Sequence, residues 1–135
     1  MKVLIVESDP DLGRLWQRHL MRHGMDVRVE TGQARAVLVL QVWPADVIVL
    51  NLVLAEGSAL AVADYACYRH PEAHVIFVNN TSFFSDGSIF KLCANARAYV
   101  QSSTPPEDLA AMVAYYGRPA LLDDGGPPAE IAPDA

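Results

Sequence analysis

Lysine is scarce in this chain, with two among 135 residues, Lys2 and Lys91. Ten basic residues stand against sixteen acidic ones, a formal net charge of −6. A duplex-binding surface needs clustered cations, so the balance argues against nucleic acid as a direct partner. Cysteine is nearly absent as well. Cys67 and Cys93 lie in apolar surroundings without metal-ligand spacing, and they read as reduced core thiols of a cytoplasmic protein. Long apolar runs are missing too. Val3–Val6 is too short for the core of a signal peptide, and no later stretch is long enough to span a membrane. Charged residues make up only 19% against 52% hydrophobic, a globular composition.

What is present is an alternation of short apolar runs and amphipathic segments, without internal repeats. Val3–Val6 has the form of a parallel strand buried on both faces. Asp9 suits a helix N-cap, with Pro10 at the first helical position and Asp11 in the first turn. Leu12, Leu15, Trp16 and Leu20 recur at helical spacing, and Gly24 is placed to end that helix. Asp26–Glu30 alternates like a strand, and residues 32 to 42 predict a helix rich in alanine and leucine. Val47–Leu50 is a further buried strand, followed by a loop and a helix opened by Ser58. Val75–Val78 predicts strand four, Phe84–Asn95 a fourth helix, and Arg97–Gln101 strand five. Pro106, Glu107 and Asp108 open a last helix that turns Leu109, Met112 and Val113 inward and stops near Gly117.

Five strands alternating with five helices predict an α/β, doubly wound, three-layer sandwich around a parallel sheet. The domain is expected over residues 1 to 118, and residues 119 to 135 read as an acidic, Pro/Gly-rich flexible tail. Ligands of such sheets bind beyond the carboxyl ends of the strands. The residues to examine are therefore Glu7 and Ser8, Asn51, Asn79 and Ser102.

Three stretches resemble the receiver domain of two-component response regulators, over about residues 1 to 116. Val3 to Pro10 resembles its first strand and acidic turn, and Pro44 to Leu60 its central strand and following loop. Ala96 to Val100 with Pro106 to Leu109 resembles the fifth strand and last helix. The resemblance implies a flavodoxin-like (βα)5 fold with sheet order 2-1-3-4-5. It also implies phosphoryl transfer from a phosphohistidine to an aspartate. Two acids after strand one and the acceptor would hold Mg²⁺, while a hydroxyl after strand four and a lysine after strand five bind phosphoryl oxygens. Metal and lysine neutralise charge on the transferring group, and the carboxylate is the nucleophile.

The chain departs from that pattern at each position. The first acid is Glu7, one methylene longer, and the second is Ser8. The acceptor position holds Asn51, a poor nucleophile. The switch position holds Asn79, with Asn80 or Thr81 as alternative registers. The lysine position holds Ser102, followed by Ser103 in place of the usual proline. No lysine follows Lys91, and no arginine lies between residues 98 and 117. The expectation is a pseudo-receiver with a degenerate phosphorylation site, no catalytic residues, no enzyme activity and no cofactor.

Simpler roles stand beside the functional ones. Asp9 is better explained as a cap than as a metal acid, and Glu7 with Asp9 would hold Mg²⁺ only weakly. His19 and His23 lack a third zinc ligand and read as a solvated helix face. The two amides and two serines either orient a small ligand or close the crevice with hydrogen bonds. Aromatics gather late in the chain: Phe77, Phe83, Phe84, Phe90, Tyr99, Tyr115 and Tyr116. In receivers the fourth helix, fifth strand and fifth helix form the usual dimer and output face, and Tyr99 resembles its aromatic switch residue. Phe83, Phe84, Tyr99 and Tyr115 are the candidate interaction residues. The expected function is a stand-alone, phosphorylation-independent signalling module. It would bind a histidine kinase, a transcription regulator or a second copy through that face. The alternative is a small-ligand or metal sensor using the vacated crevice.

Overall fold

The computed structural model describes residues 1–79 and 96–117. The predicted fourth helix, with Phe84, Phe90, Lys91 and Cys93, lies outside the described residues, as do Asn80, Thr81, Phe83 and the tail. In chain order the elements are β1 (Lys2–Val6), α1 (Pro10–Met21), β2 (Asp26–Glu30), α2 (Gln33–Val42) and β3 (Val47–Asn51). They continue with α3 (Ala59–Arg69), β4 (His74–Asn79), β5 (Ala96–Gln101) and α4 (Pro106–Tyr116). The strands form one sheet of order β2-β1-β3-β4-β5, and every pairing is parallel.

The apolar runs become central strands because alternate residues serve opposite layers. Leu4, Val6, Ile48, Leu50, Val75 and Phe77 face a core completed by Ala36 and Leu40 of α2 and Val62 and Ala66 of α3. Val3, Ile5, Val47, Val49, Ile76 and Val78 face the other core, with Trp16 and Leu20 of α1 and Leu109 and Val113 of α4. Each large side chain removed from water in this way contributes roughly 1.5–3 kcal/mol. A buried run without polar alternation is therefore the signature of a strand sandwiched between two helical layers.

Helix ends follow their local chemistry. Asp9 accepts from the amides of Asp11 and Leu12 ahead of Pro10, which starts α1. At the other end the amides of Gly24 and Met25 donate to the carbonyls of Met21 and Leu20. That is the Schellman pattern, with Gly24 at φ +81°. His23 lies past the end of α1 and not on it. Ser58 Oγ accepts from Ala61 N at 3.2 Å to open α3. Cys67, expected in the core, is half-buried on α3 at its margin. Among the described residues no helix is long and apolar enough to cross a membrane.

Candidate functional site

The sheet order puts the carboxyl ends of β1, β3, β4 and β5 side by side. Backbone bonds extend the ladder beyond the strands: Glu7 N to Glu30 O at 3.0 Å, Leu52 N to Val78 O at 2.8 Å, and Ser102 N to Asn79 O at 2.8 Å. Glu7, Asn51 and Asn79 are the buried polar side chains among the described residues. All three lie at this edge, each just at or past a strand end. An interior that is otherwise apolar thus gathers its polar groups at one place, where open α/β sheets bind their ligands.

Two of the three, Glu7 and Asn51, are bonded to each other. Asn51 Nδ2 donates to Glu7 Oε1 at 2.7 Å, and Glu7 Oε2 accepts from Asp9 N at 3.0 Å. Asn51 Oδ1 accepts from Val53 N at 2.9 Å. A flipped amide would set oxygen against carboxylate and NH₂ against a backbone donor, so the two bonds together fix its orientation. Ser8 Oγ donates to Thr31 O at 3.0 Å and accepts from Ala55 N at 2.8 Å. It joins the loop after β2 to the loop after β3. Three acceptor duties and one donor duty are thereby assigned to Glu7 and Ser8, and the donor duty is one that a carboxylate could not perform.

Among the described residues no lysine, arginine or histidine pairs with Glu7. The pairs Arg14–Asp11 and Arg35–Glu30 lie at the surface. Burying a carboxyl without a cation costs several kcal/mol, and the two donated hydrogen bonds offset part of that cost. The donor set does not fit the Mg²⁺ that the receiver resemblance implies. It has one carboxyl whose oxygens both accept from protein donors, a neutral serine, and an amide that turns its NH₂ inward. Asp9 is spent on the α1 cap through Oδ1. Among the described residues no group of three or more His, Cys, Asp or Glu could hold a metal ion.

Asn79 closes β4 and lies opposite Gln101 in register. Ser102 follows β5, and its Oγ is buried without a hydrogen-bond partner among the described residues. Tyr99 pairs in register with Phe77 and packs on the α2–α3 core. Tyr115 lies on α4, in the opposite layer, 39% exposed and edge-on to Tyr116 at 5.1 Å between centroids. Tyr99 thus lies on the α2–α3 side of the sheet, and Tyr115 belongs to the helical layer of the other side.

Sequence reasoning passed over Gln33. Its amide N donates to Glu56 O at 3.1 Å, and its side-chain Oε1 accepts from Ser58 N at 2.7 Å. Together with Ser8 and Asn51 it fastens the loop from Leu52 to Ser58 at four points. The available signal was glycine: Gly57 has φ +88°, and a Cβ there would collide with Gln33.

With that geometry in place, the relatives are informative. No family model matches the chain. It is 31% identical over 112 residues to the response regulator protein PilR of Pseudomonas aeruginosa, covering 82% of this chain. The chain spans about a quarter (24%) of that protein's length. The signal receiver domain of a putative LuxO repressor protein from Vibrio parahaemolyticus superposes with a TM-score of 0.79 at 20% identity, covering 91% of this chain and 94% of that one. A CheY-like receiver domain protein from Methanospirillum hungatei gives 0.79 at 18% identity, covering 93% and 98%. The BeF3-activated receiver domain of RstA from Klebsiella pneumoniae gives 0.77 at 23%, covering 88% and 100%. The fold is that of response-regulator receiver domains. In fold the chain matches receiver domains, and in sequence it is similar to part of a response regulator.

Proposed function

We propose that this is a pseudo-receiver: a receiver-like signalling domain that works by binding protein and not by accepting a phosphoryl group. The observation that carries the reading is the Asn51–Glu7 hydrogen bond of 2.7 Å. The position where the resemblance expects a nucleophilic carboxylate holds an amide, whose nitrogen is occupied by the one acid of the crevice. Ser102, in the place of the phosphate-binding lysine, supplies no charge. The domain is accordingly not an enzyme and performs no group transfer. Its output passes through a protein partner, a histidine kinase or a transcription regulator, or through a second copy, at the face around β5 marked by Tyr99 and Tyr115.

Incubation with acetyl phosphate and Mg²⁺, followed by intact mass measurement, tests the reading. The expected result is an unchanged mass. A phosphoryl adduct on Glu7, Asp9 or any other side chain would overturn it. The alternative, a small-ligand sensor, draws support from the Ser102 hydroxyl, buried without a hydrogen-bond partner among the described residues. A polar metabolite that raises the melting temperature of the wild type but not of Ser102→Ala would favour it.

A further inference from the structure

The helical layer formed by α2 and α3 carries an apolar surface on its outer side, which no role so far described uses. Of the eight large hydrophobic side chains exposed among the described residues, four lie on these two helices. Leu38 is 54% exposed and Val42 80% on α2, and Leu60 is 42% and Tyr68 82% on α3. Leu38 and Val42 are four apart, and Leu60 and Tyr68 lie on one line with Asp64 between them, so each helix presents a single stripe. A layer that faces only solvent normally carries charge there. Here α2 bears one charged residue, Arg35, and the α3 stripe bears Asp64.

The two helices form a fixed platform. At their starts Gln33 holds Ser58 N at 2.7 Å and Glu56 O at 3.1 Å. At their ends His70 Nε2 lies 2.6 Å from Leu40 O. These ties set the helices level, so that Val42 is the tenth residue of α2 and Tyr68 the tenth of α3.

We infer that this face associates with a second copy of the same chain. A two-fold axis running along the helices and lying in the contact plane would set α2 of one copy on α3 of the other, in parallel. That operation places Val42 against Tyr68, twice. It also brings Arg35 toward Asp64, the third and sixth residues of their helices, with an offset of about 4.5 Å that an arginine side chain spans. Arg35 Nε reaches Glu30 at 3.5 Å within its own copy, which leaves its terminal NH₂ groups to pair across. One positive and one negative group per copy make the face self-complementary. A strongly charged partner has nothing there to select, and the net charge of −6 resides elsewhere.

The platform measures about 15 Å along the helices and about 20 Å across. That is below the roughly 800 Å² per partner of a standard interface, so the dimer is a reversible one that forms at high protein concentration. The inference does not rest on the pseudo-receiver reading, because mass labelling and oligomeric state are separate measurements.

Sedimentation equilibrium on the full chain tests it. The wild type is expected to dimerise, and Val42→Glu and Tyr68→Glu each to weaken the dimer by about tenfold or more. Arg35→Glu weakens it less, and adding Asp64→Arg brings it back to within about threefold of wild type. Met21→Glu, at an exposed position on α1 in the other layer, leaves it unchanged. A chain that stays monomeric to about 1 mM overturns the inference. So does a dimer that survives Val42→Glu and Tyr68→Glu, or one that Met21→Glu dissolves. Should either apolar-to-acid variant lose its circular dichroism, the charge-swap pair decides alone, and failure of Asp64→Arg to restore association counts against it.

Discussion

Asn51 and Glu7 are separated by 44 positions in the chain and by 2.7 Å in space. What stands at residue 51 must donate toward the carboxyl and accept from Val53, and only a short amide does both. Asn51→Asp, which recreates the acid expected of a receiver, sets two carboxylates face to face in a buried site. The expected loss is about 2–3 kcal/mol at neutral pH, from the missing donor and from like-charge repulsion. The repulsive part of the loss disappears in acid, where the two carboxyls no longer both carry charge. Urea melts at neutral and acid pH check both statements. Asn51→Asp also remains unlabelled by acetyl phosphate, because the cation is still missing at Ser102. The places of Glu7, Asn51 and Asn79 at strand ends were legible from the chain, since each directly follows an apolar run. Their mutual bonding was not, because a hydrogen bond between two strand ends depends on register that composition does not carry.

At the scale of elements, strands and caps were the legible part. The unbroken runs Val3–Val6 and Val47–Leu50 could be buried only between two helical layers, and Asp9-Pro10 could hardly be other than a helix start. The ties between α2 and α3 left a fainter trace. Gln33 looks like an ordinary helix residue, and only Gly57 hints that something lies close to the loop. The two left-handed glycines separate backbone strain from crowding. Gly24 has φ +81° with nothing near its missing Cβ, whereas a Cβ at Gly57, φ +88°, would meet the Gln33 side chain. Gly24→Ala is expected to cost about 1 kcal/mol, the backbone term alone. Gly57→Ala should cost about 2–3 kcal/mol, because Gln33 must also give up its bond to Ser58 N. Chemical denaturation of the pair checks this, and equal losses would show that Gln33 moves aside freely.

Across the whole molecule the two ends of the sheet have different chemistry. The carboxyl end holds Glu7, Asn51, Asn79 and Ser102 without a cation among the described residues. The amino end holds a cluster in which Arg97 Nε donates to His74 Nδ1 at 3.0 Å, and Asp46 Oδ2 accepts from Lys2 N at 2.8 Å. Burial, and then the Arg97 guanidinium, hold the His74 pKa below its ordinary 6.5, while the Asp46 carboxylate acts the other way. The bond from Arg97 requires an unprotonated Nδ1, so the geometry and the direction of the shift agree. With the folded value depressed, the unfolded chain binds the proton more readily. The stability due to neutral His74 is therefore fully present above pH 6.5 and is lost as pH falls from there through the folded value. His74→Gln keeps an acceptor for Arg97 but cannot take up a proton. Unfolding free energies measured above and below pH 6.5 should fall more steeply with acid in the wild type than in His74→Gln. Equal slopes would mean that His74 protonates as easily in the fold as out of it, and that the Arg97 contact does not bias it. Because this cluster sits at the opposite end from Asn51, the same slope should appear unchanged in Asn51→Gln, whose damage is confined to the crevice.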